Sequence, residues 1–383
     1  MIYLDYAATT PVSDHALQVY NEVSKNMYGN PSSLHDIGSR AKQLLEHARQ
    51  ELALLLHADA SGIYFTSGGT ESNVLAIDAI LRGNQKNGKH VITTRMEHAS
   101  LQSYFQQITK QGYQVSYVAV NEHGEIDINH LATLIRDTTV LVSIHHVNSE
   151  IGVIQPINEI AELVHTYGAL FHSDCVQSFG KLPINMKESK IDSISISSHK
   201  IYGPMGVGAV YLNPSVAWES TSTSLNQENG FRAGTVNVPG IAAFVTAAQA
   251  SCIAMEQELT KISSLRERFI NLLDDGGFAG HVFTSKNGQL PHIIGILLDG
   301  LQGDYAMLEF NRADIAISTG SACSVGQQQP SKTMLAVGKT DVEAKRFIRL
   351  SLGKQTTVAD ITKAATICLQ LSASMTGRGA THG

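Results

Sequence analysis

Strand and helix signals alternate between about residues 60 and 215, and this constrains the fold more than any other feature of the chain. Gly62–Thr66 reads as a short strand and Thr70–Leu81 as a helix. Lys89–Thr93 then reads as a strand and Ala99–Gln111 as a helix. Tyr113–Val120 and Thr139–Val147 are β-branched runs with a helical stretch, Asp127–Ile135, between them. Ile157–Tyr167 follows as a helix, with Ala169–Ser173, Ile191–Ser197 and Val207–Leu212 as further strands. This order predicts a mainly parallel sheet covered by helices. The unbroken apolar run Val140-Leu141-Val142 predicts strands buried on both faces.

Asp36–Leu56 carries one apolar stripe at helical spacing: Ile37, Ala41, Leu44, Leu45, Ala48, Leu52, Leu55 and Leu56. Val238–Leu273 predicts a long helix leading from a large domain into a smaller one. The last third mixes strand signals (His292–Leu298, Ile315–Ser318, Arg346–Leu352) with helices at Tyr305–Asn311 and Val358–Leu371, and the tail Gly377–Gly383 reads as frayed. A length of 383 residues, 43% of them hydrophobic, is enough for both domains. A net charge of -6 argues against sequence-independent nucleic-acid binding. The start, Met1-Ile2-Tyr3-Leu4-Asp5, lacks a signal peptide's basic region, and no apolar run is expected to span a membrane, so a cytoplasmic protein is expected.

The chemistry concentrates at a few positions. Lys200 closes Ser195-Ile196-Ser197-Ser198-His199-Lys200 on a polar turn after an apolar strand. Asp174 ends the strand-like Phe171-His172-Ser173-Asp174. A lysine able to form a Schiff base and an acid able to keep a pyridine nitrogen protonated are what pyridoxal 5′-phosphate requires. A surface lysine and a helix-capping acid are the plainer alternatives. Ser67-Gly68-Gly69-Thr70-Glu71-Ser72-Asn73 follows a strand and opens a helix. That makes it a phosphate site, or an ordinary turn with Thr70 as N-cap. His98 follows a strand, placed either to stack on a flat ring or to begin a helix with no further role. Arg349, in an alternating strand, is either an edge arginine facing water or a planar fork for an α-carboxylate.

Four cysteines are present and none forms a Cys-x-x-Cys pair. Cys252 and Cys368 lie in apolar helical stretches and read as core residues. Cys323 lies in Gly320-Ser321-Ala322-Cys323-Ser324-Val325-Gly326, whose composition reads as an exposed, mobile loop.

Together these segments resemble the NifS/IscS-like cysteine desulfurases of the aminotransferase class V family. The resemblance runs from Tyr3-Leu4-Asp5-Tyr6-Ala7-Ala8-Thr9-Thr10-Pro11 to Arg349-Leu350-Ser351-Leu352-Gly353. Its most specific pieces are Ser67–Asn73, Ser197-Ser198-His199-Lys200-Ile201-Tyr202-Gly203-Pro204 and Gly320-Ser321-Ala322-Cys323. It implies an α/β protein of PLP-dependent transferase fold type I. The large domain, residues 15–260, would hold a mainly parallel seven-stranded sheet. Residues 1–14 and 261–383 would form a smaller α+β domain.

The resemblance also implies roles. Lys200 would bond the cofactor aldehyde, Asp174 would pair with the ring nitrogen, Gln177 would hydrogen-bond the ring hydroxyl, and His98 would stack on the ring. Gly69, Thr70, Ser197 and His199 would hold the phosphate, and Thr235 would reach the phosphate of a second subunit in an obligate homodimer. Arg349 would bind the carboxylate of L-cysteine. Cys323 would attack the substrate sulfur as a thiolate and keep it as a persulfide, releasing L-alanine, with His98 or a neighbouring base removing thiol protons. No resident metal is implied, with at most a transient iron–sulfur contact at Cys323. The acceptor would be an iron–sulfur scaffold or another protein. His172–Gln177 and Pro330–Leu335 resemble a NifS-like branch that serves quinolinate synthase in NAD biosynthesis.

Two departures stand out. Asn148-Ser149-Glu150 replaces the family's Asn-Asn-Glu, so either Ser149 takes over a cofactor contact or Asn148 shifts to make it. Ser222–Gly230 replaces a glycine-rich stretch. A selenocysteine lyase or other β-lyase of the same fold, and a catalytically idle iron–sulfur assembly scaffold, are the competing readings.

Overall fold

The computed structural model describes residues 1–220, 227–320 and 330–376. Cys323, Ser222–Asn226 and the tail from Gly377 lie outside the described residues. The chain opens with β1 (Ile2–Tyr3), α1 (Asp14–Asn26) and α2 (Asp36–Leu55). It then alternates through β2 (Ile63–Thr66), α3 (Gly69–Gly83), β3 (His90–Thr93), α4 (Ala99–Lys110), β4 (Gln114–Tyr117), α5 (Ile128–Leu134), β5 (Thr139–Ser143), α6 (Ile157–Thr166), β6 (Leu170–Asp174), β7 (Ser193–Ser197) and β8 (Gly208–Leu212).

β2 to β8 form one sheet in the order β2-β8-β7-β6-β5-β3-β4. All its pairings are parallel except those of β8, which runs antiparallel to both β2 and β7. The link from Ser197 to Gly208 is too short for a crossover, so β8 has to turn straight back. That reversal puts His199 and Lys200 at a hairpin tip over the carboxyl edge of the sheet. β2, β3, β5 and β6 end on the same edge, where ligands of open α/β sheets bind. Alternate strand residues fill two cores. Phe65, Ile92, Val142, Phe171 and Ile194 pack on one face, and Tyr64, Val91, Leu141 and Val210 on the other.

α7 (Val238–Asp275) leads out of this unit. Its first half is long and apolar enough to cross a membrane by length and composition, contrary to the sequence expectation. More than half of that stretch is buried, packed on α1 and α2 as a core helix. Its second half, with Ile262, Leu265, Phe269 and Leu273, enters a different core. That core is built on β9 (Gly280–Val282), β10 (Ile293–Leu298) and β12 (Phe347–Ser351), an antiparallel sheet in the order β12-β10-β9. α8 (Gly303–Arg312), β11 (Ile315–Ala316), α9 (Lys332–Ala336), α10 (Asp341–Ala344) and α11 (Val358–Thr376) complete it. β1 pairs in parallel with β11, and Leu4 joins this second core, so the N-terminus belongs with the C-terminal part.

One buried ion pair closes the β2 edge. Arg49 of α2 forks onto Glu228, Nη1 to Oε2 at 2.8 Å and Nη2 to Oε1 at 2.9 Å. Phe65 N–H also donates to Glu228 at 2.7 Å. The two side chains are only 7% and 1% exposed, and without Glu228 the buried Arg49 keeps only the half-exposed Glu46, 3.1 Å from its Nε, and the Ile63 carbonyl. Glu228→Ala is expected to cost about 3–5 kcal/mol of unfolding free energy, read by denaturant titration. A loss within the range of an ordinary surface ion pair would show that the site takes up water instead.

Candidate active site

A cavity of about 550 Å³ opens on the carboxyl edge of the large sheet. Gly69, Thr70, His98, Ser149, Asp174, Gln177, Ser197, His199, Lys200 and Arg349 all line it. Ten positions singled out from sequence therefore meet in one place. Thr235 does not line it and is exposed.

The β2–α3 turn supplies one wall. Gly68 caps α3 with no side-chain hydrogen bond, so Thr70 lies inside the helix and is not its cap. Gly68 has φ +145°, which favours glycine. Across from it Gly208 leaves room, because a Cβ there would meet Gly68 Cα at 2.7 Å. Ser197 Oγ, at the end of β7, is buried without a hydrogen-bond partner. A helix N-terminus with no side-chain cap, beside an unpartnered hydroxyl, fits an anion such as a phosphate. Glu71 Oε2 accepts from Ser67 N–H at 2.5 Å and pairs with Arg232 Nε at 2.8 Å, which offsets its charge at the turn. Burial pushes His199 down to about 4, with the charges of Lys200 and Lys181 adding to it, so its imidazole is neutral.

Asp174 ends β6 and is 7% exposed. Its Oδ2 accepts from Asn73 Nδ2 at 2.7 Å and its Oδ1 from Val176 N–H at 2.9 Å. Asn73 Oδ1 in turn lies 3.4 Å from His172 Nε2. Two neutral donors fix the carboxylate without neutralising it. His98 is both the helix-starting residue and a cavity residue: it caps α4, its Nδ1 accepting from Ser100 N–H at 3.2 Å and lying 2.8 Å from Ser100 Oγ.

Lys200 Nζ donates to the carbonyls of Ala7 and Ala8 at 2.6 and 2.7 Å. Burial pushes its amine down to about 7, helped by Arg349 and Lys181 and opposed by Asp5 and Asp174. Arg349 is 2% exposed, so it is no edge residue facing water. Its Nη1 donates to the Ser149 carbonyl at 2.9 Å and its Nη2 pairs with Asp5 at 2.8 Å. Its Nε is buried without a partner. Ser149 therefore faces the cavity. Asn148 is turned away, its Oδ1 accepting from Glu150 N–H and Ile151 N–H.

The N-terminal segment went unread from sequence as a chemical element. Asp5, Ala7, Ala8 and Thr9 reach the site because Ala7 N–H donates to Ser351 Oγ at 2.8 Å, and because Thr10 Oγ1 donates to the His199 carbonyl at 3.0 Å. Backbone carbonyls leave no compositional signal. Glu97 and His145 were missed too. His145 lines the cavity, 4% exposed, and its Nδ1 lies 2.9 Å from Glu97 Oε1. Cys175, one residue past Asp174, is fully buried and pushed up to about 12, so it is packed and inert.

Residues 2–363 match the aminotransferase class-V family. The chain belongs to that family. Within it the protein is a NifS/IscS-like cysteine desulfurase. A putative cysteine desulfurase NifS of Bacillus subtilis is 50% identical, over 94% of this chain and 92% of the relative. A cysteine desulfurase IscS of Dictyoglomus turgidum is 35% identical, over 94% and 91%. A solved NifS-like protein superposes on the desulfurase with a TM-score of 0.89 at 29% identity, covering 98% and 99% of the two chains. A structure titled as SspA in complex with cysteine gives 0.81 at 30% identity, covering 92% and 99%. The fold of the desulfurase is thus that of the NifS-like enzymes, as the strand–helix order predicted.

Proposed function

We propose that the desulfurase works with pyridoxal 5′-phosphate held in this cavity and converts L-cysteine to L-alanine, passing the sulfur to Cys323. The observation that carries the reading is the convergence of Lys200, Asp174 and the N-terminus of α3 on one cavity. The α3 turn with Ser197 and His199 would hold the phosphate, Asp174 the ring nitrogen, Gln177 the ring hydroxyl, and His98 a ring face. Bound there, the cofactor supplies an electron sink for the substrate α-carbon. An amine displaced to about 7 lets Lys200 Nζ take up and release a proton near neutrality. His98 Nδ1 is engaged by Ser100, which fixes the ring at the cavity wall.

The reaction balances without a further reagent. L-cysteine and the Cys323 thiol give L-alanine and a Cys323 persulfide: one S–S bond forms, the C–S bond breaks, and a proton goes to carbon. Support for Cys323 comes from the residues on either side of its segment. Arg349 and Ser318 exchange backbone hydrogen bonds at 2.7 and 3.1 Å. Gly320 packs near the Glu150 carboxylate, to which Ser331 donates. Both ends are therefore anchored beside the cavity, and three residues of chain span at most about 10 Å.

The two cores that α7 joins support a division into a large domain of residues 15–260 and a small one of 1–14 and 261–383. Exposed Thr235 suits a contact with a second copy, in a homodimer. A cytoplasmic location, and delivery of sulfur to an iron–sulfur scaffold or to quinolinate synthase, complete the proposal.

Arg349 provides the substrate test. A carboxylate held by a charged fork gains roughly 1.5–3 kcal/mol per bond. Arg349→Ala should therefore raise KM for L-cysteine about ten- to hundred-fold. Arg349→Lys should restore little, since a point charge cannot replace the fork. An unchanged KM in both variants would remove Arg349 from the substrate site.

A further inference from the structure

A second lysine stands behind the cavity wall with no task in the chemistry above. Lys181 lies in the turn after β6 and is not among the residues that line the cavity. Its Nζ lies 3.5 Å from Gln177 Oε1. That contact is long, but its sense is fixed, because an ammonium only donates. At the other end of the same amide, Gln177 Nε2 donates to the Ala7 carbonyl at 3.0 Å. A carbonyl only accepts, so both neighbours impose the same orientation on an amide whose two ends are alike in shape. The Ala7 carbonyl is also the acceptor for Lys200 Nζ at 2.6 Å. Lys181, Gln177, Ala7 and Lys200 thus form one continuous chain of donors and acceptors.

We propose that Lys181 is a positioning residue of the active site: it holds the Gln177 amide with its NH₂ end toward the ligand and sets a second positive charge beside Lys200. The proposal rests on the reading of Lys200 as the residue that bonds the cofactor aldehyde. Only the uncharged amine attacks an aldehyde, and an ordinary lysine at pH 7 is uncharged roughly once in 3,000 molecules. Burial does most to disfavour the Lys200 cation, and Arg349 and Lys181 add to it, with Asp5 and Asp174 opposing them. Lys181 is itself pushed down by burial to about 8, opposed by Glu258 of α7. Glu258 is shared with the Tyr202 hydroxyl at 3.1 Å. The imidazoles of His199 and His292 are both pushed well below their ordinary value by burial and add no further positive charge. The same oriented amide leaves a donor for a ring hydroxyl oxygen, which is an acceptor when ionised.

Two measurements test this. In the cofactor-free protein with ¹³C-labelled lysine, NMR titration should show two lysines titrating well below the rest, one near 7 and one near 8. If every lysine titrates as an exposed one does, the proposal fails, with no variant required. The second measurement follows the rate at which cofactor-free protein gains visible absorption on mixing with pyridoxal 5′-phosphate, across pH. In the native protein the rate should rise to a plateau as pH passes about 7. In Lys181→Met the midpoint should move up by about one pH unit or more, and Lys181→Arg, which keeps the charge, should restore it. An unmoved midpoint in Lys181→Met, or an equal shift in Lys181→Arg, overturns the role of the charge. Native protein that never becomes coloured counts against the cofactor reading instead, and the lysine titration then decides this one.

Discussion

Lys200→Ala protein should stay colourless when supplied with pyridoxal 5′-phosphate and should release no alanine from L-cysteine. Position 200 sits at the tip of the β7–β8 turn-back, where the backbone leaves one side chain over the ends of β5, β6 and β7. Among the described residues no other lysine lines the cavity. On the proposed reading, the substitution removes both the group that would bond the aldehyde and the base near the substrate α-carbon. A positioned acid–base group alone accounts for about 10²–10⁴ in rate, so the combined loss should exceed that range. The fold should survive, because the lost amine is one that burial already disfavours as a cation. The absorption spectrum and a melting curve on the same sample separate the outcomes. A folded Lys200→Ala protein that colours and turns over normally would remove this lysine from the mechanism.

Cys323→Ala protein should still colour and still bind L-cysteine, but should keep no sulfur and lose nearly all alanine formation. No other described cysteine can stand in. Cys175 and Cys368 are fully buried and pushed up to about 12, so at neutral pH roughly one molecule in 100,000 carries the thiolate at either. Cys252 lies half-buried on α7, also pushed up by burial, and only partly fulfils its expected place in the core. Full alanine output from Cys323→Ala, with sulfide in solution, would instead fit a lyase that needs no enzyme nucleophile.

Much of this arrangement was legible from residue order, and the limits have physical causes. β5 was plain because Val140, Leu141 and Val142 are buried on both faces. Its expected extension to Val147 ends early, at Ser143. Beyond that point the chain crosses the sheet edge and turns His145, Val147 and Ser149 into the cavity, a two-residue repeat that mimics a strand. α1 is amphipathic, with Ala16 and Val23 buried and Ala16 packed near Ala243 and Ala247, but its sequence is polar on average, so no apolar run marks it. α9 and α10 are too short for a periodic signal, and β9 is a three-residue edge strand. Lys200 and Asp174 stood out as ionisable groups just past or at a strand end, and Arg349 as a lone charge inside an apolar strand. Ala7, Ala8 and Lys181 act through carbonyls or through another residue, which only the folded chain reveals.

The most direct test is intact-protein and peptide mass measurement of the coloured native protein after addition of L-cysteine, with alanine assayed in the same tube. One added sulfur atom is expected, on the peptide containing Cys323, with alanine appearing in step with it. Sulfur found on a different cysteine, or alanine formed with none retained on the protein, would contradict it.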